Sequence, residues 1–122
     1  RQVFSLVGDG GALMTGSELA TAVAQKAKVR VIVANNRHYG TIRYHQELHF
    51  PTRDHYATNL VNPDFAKYGE SFGLKCFTIE KIEEVIPTIK NAMNVDGPSL
   101  IEFKMSLELN TSTATITELQ MK

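Results

Sequence analysis

"QVFSLVGDGGALMTGSELATAVAQKAKVRVIVANN", residues 2–36, holds the pattern on which the fold turns. Residues 2–7, QVFSLV, form a short, mostly apolar run that stops at glycine, the pattern of a buried strand. Residues 17–25, SELATAVAQ, are rich in good helix formers, with Leu19, Ala20, Val23 and Ala24 at helical spacing. Thr15 or Ser17 is placed to cap that helix, and Glu18 suits its first turn. Residues 29–36, VRVIVANN, are the clearest strand, with β-branched residues running into two asparagines.

The alternation continues downstream. Residues 62–73, NPDFAKYGESFG, read as a helix that starts at Asn62 before Pro63 and stops at Gly73. Residues 75–79, KCFTI, read as a short strand. Residues 80–94 place Ile82, Val85, Ile86, Ile89 and Met93 on one helical face, and Pro87 inside that face predicts a kink or break. Residues 96–105 read as a turn and a strand, and a Ser/Thr-rich tail, about 106–122, ends in a short helix. Residues 37–61, with all four histidines and Pro51, read as a long polar loop. Strands alternating with helices predict an α/β fold: a three-layer α/β/α domain over residues 1–122 with a mainly parallel sheet. Arg1 leads straight into the first strand with no initiating Met, which reads as a domain truncated at its N-terminus.

Thirteen basic and thirteen acidic residues leave no net charge, which removes the electrostatic argument for nucleic acid or an anionic membrane as partner. No segment reaches the roughly 18 apolar residues that span a bilayer. A lone cysteine, Cys76, fits a reducing compartment, so a cytoplasmic protein is expected.

Ligands of parallel sheets collect at the carboxyl ends of strands. Gly8–Gly11 and the Asn35–Asn36 pair each follow a strand directly, so both emerge on that edge. Glycines 8, 10 and 11 let backbone N–H groups face a ligand, and the helix behind them favours a phosphate. Asp9 in their midst would repel a phosphate, and a divalent cation between the two resolves the conflict. Mg²⁺ takes oxygen ligands, often one or two from protein. Asp9 supplies charge, the Asn36 side chain a neutral oxygen, and the His38 backbone carbonyl a third ligand. Either motif alone reads most simply as a turn. The pairing carries the metal–diphosphate reading, with Asn36 twenty-seven positions after Asp9 across a strand, a helix and a strand. A dinucleotide fingerprint needs G-x-G-x-x-G and an acid closing the second strand; residues 8–13 read GDGGAL, and the second strand closes in asparagine.

Residues 8–43, from GDGG to NNRHYGTIR, resemble the diphosphate-binding motif of thiamine-diphosphate-dependent enzymes. ELATAV, NNRHYGTIR and GPSLIEF are similar to the acetolactate synthase, benzoylformate decarboxylase and 2-oxo acid decarboxylase group, and the similarity runs through nearly the whole chain. The resemblance implies thiamine diphosphate and Mg²⁺ as cofactors. It places Asp9 and Asn36 on the metal through side chains and His38 through its carbonyl. Gly8, Gly10, Gly11 and Ala12 line the diphosphate with backbone, and Tyr39, Gly40 and Ile42 approach the cofactor or substrate pocket. Many relatives carry a hydroxyl residue where this chain has Gly11. The family's pyrimidine-binding domain, with its activating glutamate, is absent from these 122 residues, as is the segment that normally precedes GDG. The resemblance therefore implies a module that holds no catalytic residue of its own and is inactive alone. It would meet a 2-oxo acid only with a complementary pyrimidine domain. Bare sheet edges further imply a homo-oligomer. The alternative is a non-catalytic, dimerising or binding domain that keeps the fold and a vestigial motif.

The remaining residues read more plainly. His45 and His49 stand four apart with His38 and His55 nearby, but with no cysteine and no HExxH the stretch reads as polar loop, not zinc site. Arg37, Arg43 and Arg53 either attract a carboxylate or solubilise that loop. Glu18 and Glu70 read as solvated, and Glu47 as part of a mobile loop. Cys76 reads as a small buried hydrophobe, and Phe65, Tyr68 and Phe72 as core.

Overall fold

Side chains of β2 (Val29–Asn35) alternate between two faces, and each face finds its own cover. The computed structural model describes residues 1–50, 52–108 and 115–121, so Pro51 and much of the Ser/Thr-rich tail lie outside the described residues. Around β2 the chain runs β1 (Val3–Gly8), α1 (Asp9–Thr15), a 3₁₀ turn (Gly16–Glu18) and α2 (Leu19–Ala24). It continues with α3 (Gly40–His49), α4 (Phe65–Ser71) and β3 (Lys75–Ile79). A second 3₁₀ turn (Ile82–Glu84) leads into α5 (Val85–Met93), then β4 (Ser99–Lys104) and α6 (Ile116–Gln120). The strands form one sheet in the order β1-β2-β4-β3, and every pairing is parallel.

Val31 and Val33 of β2, Leu100 of β4 and Cys76 of β3 meet Ala12, Leu19, Phe65 and Leu74 on one face; Tyr68 and Phe72 pack beside them. Ile32, Phe77, Ile79, Ile101 and Phe103 point the other way, onto Val85, Ile89 and Ala92 of α5. Helices thus cover both faces, the α/β/α layering expected of the sequence. α6 lies on α3, burying Ile116 and Leu119.

Four expectations change. β1 is an edge strand rather than a buried one: Val3, Phe4 and Leu6 are 56%, 48% and 76% exposed, and only Val7 reaches the core. The first helix starts at Asp9, directly off the strand, with Gly8 as its N-cap and no side-chain cap from Thr15 or Ser17. It breaks at Gly16, where the Tyr68 ring fills the place of a Cβ, 2.8 Å away at its hydroxyl. Pro87 does not end α5, because it sits in the first turn, where its missing N–H has no intrahelical acceptor to lose; the run breaks instead just ahead of it, between the 3₁₀ turn and α5. Val85 and Ile89 of that helix face the sheet, while Ile82, Ile86 and Met93 stay exposed. Finally, the cap of α4 is Asp64, not Asn62. Its carboxylate accepts from the Lys67 N–H at 2.9 Å, and this bond holds the Asp64 carboxyl below its usual range.

Gly69 brings α4 down onto the sheet. A Cβ there would stand 2.6 Å from Cys76 Sγ and 3.3 Å from Leu100 Cβ. Burial, with Glu70 adding to it, pushes the Cys76 thiol up to about 11, which keeps the sulfur a neutral packing group. Gly69→Ala is expected to destabilise the chain by about 1–3 kcal/mol in denaturant titration. Adding Cys76→Ala withdraws the sulfur and is expected to recover part of that loss; strictly additive losses would show that the two side chains do not compete for this space.

Candidate metal and phosphate site

Gly8 pairs with Ala34 in the parallel register, so β1 and β2 end side by side and deliver GDGG and Asn35–Asn36 to one edge. Gly8 is extended, with φ −73° and ψ 156°, and nothing lies within 4 Å of where its Cβ would stand. The chain enters α1 at once. Gly10 and Gly11 therefore belong to a first turn whose N–H groups have no intrahelical acceptors, while Ala12 follows as the fourth helical residue. Gly10 takes the opposite constraint from Gly8: a Cβ on it would strike the Tyr39 ring at 2.6 Å. The result is a cleft of about 270 Å³ walled by Gly8, Asp9, Gly10, Gly11, His38, Tyr39 and Gly40, with Thr41 and Ile42 beside them. Two of the residues named from the sequence do not wall it. Ala12 packs its methyl into the core beneath, and Asn36 sits just past the end of β2.

Asp9 is 2% exposed. Its Oδ1 accepts from Gly10 N–H at 3.0 Å, and its Oδ2 accepts from Asn62 Nδ2 at 2.7 Å. Among the described residues no cationic side chain forms an ion pair with it. A buried carboxylate held only by neutral donors favours a cation in the adjoining space.

The second arm is the loop after β2. Arg37 adopts a left-handed φ of +59°, costly for a side chain with a Cβ. Local bonds offset that cost. Asn36 Oδ1 accepts from His38 N–H and Asn35 Oδ1 from Arg37 N–H, each at 3.2 Å. Residues 58–60 clamp the loop from outside: Leu60 N–H donates to the Arg37 carbonyl at 2.8 Å, Tyr39 N–H to the Thr58 carbonyl at 2.9 Å, and His38 bridges Asn59.

Residues 37–61 are not a loop throughout, since α3 occupies Gly40–His49. Its buried side chains are Arg43 and Glu47, so the inward face is charged and apolar periodicity had nothing to register. Arg43 Nε donates to Glu47 Oε1 at 3.3 Å, and its Nη1 lies 2.7 Å from His38 Nε2. Burial, followed by the charge of Arg43 and by His55, holds the His38 imidazole below its usual range, so the neutral ring accepts from the guanidinium. Arg43 is thus engaged within the fold rather than offered to a substrate, and Glu47 is 1% exposed rather than mobile. His45 and His49 stack their rings 5.9 Å apart, and among the described residues no cluster of three His, Cys, Asp or Glu could hold a metal.

Three residues lie behind Asp9: Asn35, which the sequence placed on this edge, Asn62, which it read only as a helix start, and Glu102, which it did not single out. Asn62 also donates to Asn35 Oδ1 at 2.8 Å, and Asn35 Nδ2 donates to Glu102 Oε1 at 2.7 Å. Glu102 is 2% exposed within β4. A carboxylate in the middle of SLIEFK was the available signal.

The described residues also hold no helix long and apolar enough to cross a membrane. Residues 1–103 match the family described as "Thiamine pyrophosphate enzyme, C-terminal TPP binding domain". The chain belongs to this family. As a TPP-binding C-terminal domain it is 34% identical to a putative thiamine pyrophosphate-containing protein, YdaP, of Bacillus subtilis; the match takes in 88% of this chain and 18% of that one. It is 32% identical to acetolactate synthase of Bacillus subtilis, over 93% of this chain and 20% of the synthase. Its fold superimposes on benzoylformate decarboxylase from Polynucleobacter necessarius with a TM-score of 0.80 and 28% identity, over 88% of this chain and 20% of that structure. The TPP-binding domain therefore spans about a fifth of the length of the proteins it matches.

Proposed function

We propose that this TPP-binding domain holds the diphosphate end of thiamine diphosphate through Mg²⁺, as part of a decarboxylase or acetolactate synthase-like enzyme acting on a 2-oxo acid. Asp9 and Asn36 would hold the metal through side-chain oxygens and His38 through its carbonyl. The backbone of Gly8, Gly10, Gly11 and Ala12 would receive the diphosphate, with Tyr39 and Gly40 closing the cleft. The observation that carries this reading is the buried Asp9 carboxylate, without a cationic partner among the described residues, at the wall of a glycine-lined cleft.

Thiamine diphosphate supplies the electron sink of such reactions; a protein supplies position and electrostatics. What this chain offers is anchorage. The glycines present N–H donors, Asp9 offsets the metal's charge, and the Tyr39 ring over Gly10 fixes one wall. A cleft of about 270 Å³ falls just short of sites that enclose a whole small molecule, roughly 300–1,000 Å³. The domain alone is proposed to bind the diphosphate end without turnover. Calorimetric titration with thiamine diphosphate tests this: binding that requires Mg²⁺, with no decarboxylation of pyruvate or benzoylformate, is the expected result. Equal response with and without Mg²⁺ would overturn the metal-mediated reading.

We also infer self-association. Val3, Phe4 and Leu6 expose apolar side chains on β1, which is an edge strand of the sheet among the described residues. Light scattering is expected to show a concentration-dependent oligomer that Leu6→Lys shifts toward monomer; a monomer at all concentrations would refute it.

A further inference from the structure

We infer that Asn62, oriented by Asn35 and Glu102, is a positioning residue that fixes the two arms of the metal site relative to each other. The inference rests on the Mg²⁺ reading above and adds the residues that set its geometry. Asn62 commits both directions of its amide nitrogen, one to Asp9 Oδ2 at 2.7 Å and one to Asn35 Oδ1 at 2.8 Å. Turning the amide over would set its carbonyl oxygen against the Asp9 carboxylate and the Asn35 oxygen, so this orientation is kept although it leaves Asn62 Oδ1 buried without a partner among the described residues. Asn35 is locked in the same way. Its Nδ2 must meet an acceptor, Glu102 Oε1 at 2.7 Å, which leaves its Oδ1 to accept from Asn62 and from Arg37 N–H.

One side chain, Asn35, thus receives a bond from each arm. Through Asn62 it reaches the Asp9 carboxylate; through Arg37 N–H it reaches the loop that carries Asn36 and His38. Glu102 anchors the chain from β4, the strand next to β2 on its other side. Hydrogen bonds behind metal ligands fix ligand orientation, and losing them typically weakens metal binding about 10–100-fold. All three side chains lie at the sheet's carboxyl edge behind the cleft and outside its wall. They would act through Asp9 and the loop, and not by touching the metal.

The test is the Mg²⁺ dissociation constant of the 122-residue chain with saturating thiamine diphosphate, measured by calorimetry, with Mn²⁺ electron paramagnetic resonance as a second readout. Asn62→Ala and Glu102→Ala are each expected to weaken Mg²⁺ about 10–100-fold. The double variant is expected to be no weaker than the poorer single one, because the two act in series. Glu102→Gln keeps an oxygen for Asn35 and is expected to stay within about threefold of the unsubstituted chain, a rescue that general loosening of the core would not give. Unfolding midpoints without metal identify variants that fail to fold; should Asn62→Ala be one, the contrast between Glu102→Gln and Glu102→Ala decides. A wild-type Mg²⁺ affinity in Asn62→Ala, or equal loss in both Glu102 variants, overturns the inference while leaving the metal site standing. An unsubstituted chain without Mg²⁺-dependent affinity overturns both.

Discussion

Asp9→Ala is expected to abolish Mg²⁺-dependent binding of thiamine diphosphate, weakening it at least about 100-fold in calorimetric titration. Among the described residues Asp9 is the one carboxylate on the cleft wall, so its removal would leave the proposed metal site with neutral oxygens only. The fold should withstand the change. The substitution removes a buried carboxylate that has no cationic partner among the described residues, and leaves Gly10 N–H and Asn62 Nδ2 each short of an acceptor. These terms oppose each other, and the unfolding midpoint without metal is expected to move little. Asp9→Asn is the sharper variant. Both carboxylate oxygens accept hydrogen bonds, and an amide has a single oxygen, so one donor must face another whichever way the side chain turns. Asp9→Asn should therefore lose the metal and also lose stability. Unchanged Mg²⁺ dependence in Asp9→Ala would refute the assignment.

The second large effect lies at the opposite end of the sheet. Arg30 is fully buried on β2, and its guanidinium gathers the carbonyls that close α5 and open β4. Nη1 donates to the Gly97 carbonyl; Nη2 donates to the Val95 carbonyl at 2.8 Å and to that of Met93 at 3.4 Å. Gly97 in that turn has φ +106°, so the guanidinium also holds a backbone conformation that L side chains avoid. Removing it leaves the buried Gly97 carbonyl without this donor, at about 1–3 kcal/mol, and also withdraws the donor from the half-buried Val95 carbonyl. Arg30→Ala is expected to cost about 3–4 kcal/mol, a large share of the 5–15 kcal/mol typical of a domain, and to lower Tm by roughly 10–20 °C. Arg30→Lys keeps the charge but not the planar fork, and should recover only part of the loss. Because Arg30 sits at the amino end of β2, any variant that folds should bind Mg²⁺ as before. A drop in Tm below about 3 °C for Arg30→Ala would show that the bonds to the turn contribute little.

The sheet, and the edge on which GDGG and Asn35–Asn36 meet, were legible because both were written locally. Alternating valine and isoleucine in VRVIVANN and the apolar KCFTI declared their strands, and the pairing of Asp9 with Asn36 declared the edge on which a metal could sit. Burial was less legible. QVFSLV has the composition of an interior strand, yet exposure depends on what lies beyond its free edge, which composition does not encode. α3 escaped for the opposite reason. Its inward residues, Arg43 and Glu47, satisfy each other by charge, so the helix lacks the apolar stripe by which helices are found. The link among Asn35, Asn62 and Glu102 escaped because its meaning is relational. Each is ordinary in sequence, and only the register of β2 against β4 and the path after α3 bring them together.

That register has a consequence for how the chain reaches its native state. The inner pair of the sheet joins Arg30 to Ser99 and Asn35 to Lys104, partners separated by nearly seventy residues. Neither a hairpin nor an early helix can nucleate such a contact, and the entropy of closing so long a loop must be overcome before burial offsets it. Until β4 arrives, β2 has only an edge strand for a neighbour, and both cores lack a wall. Within this domain, both cores therefore close only when β4 pairs with β2, which makes that pairing a late step of its folding.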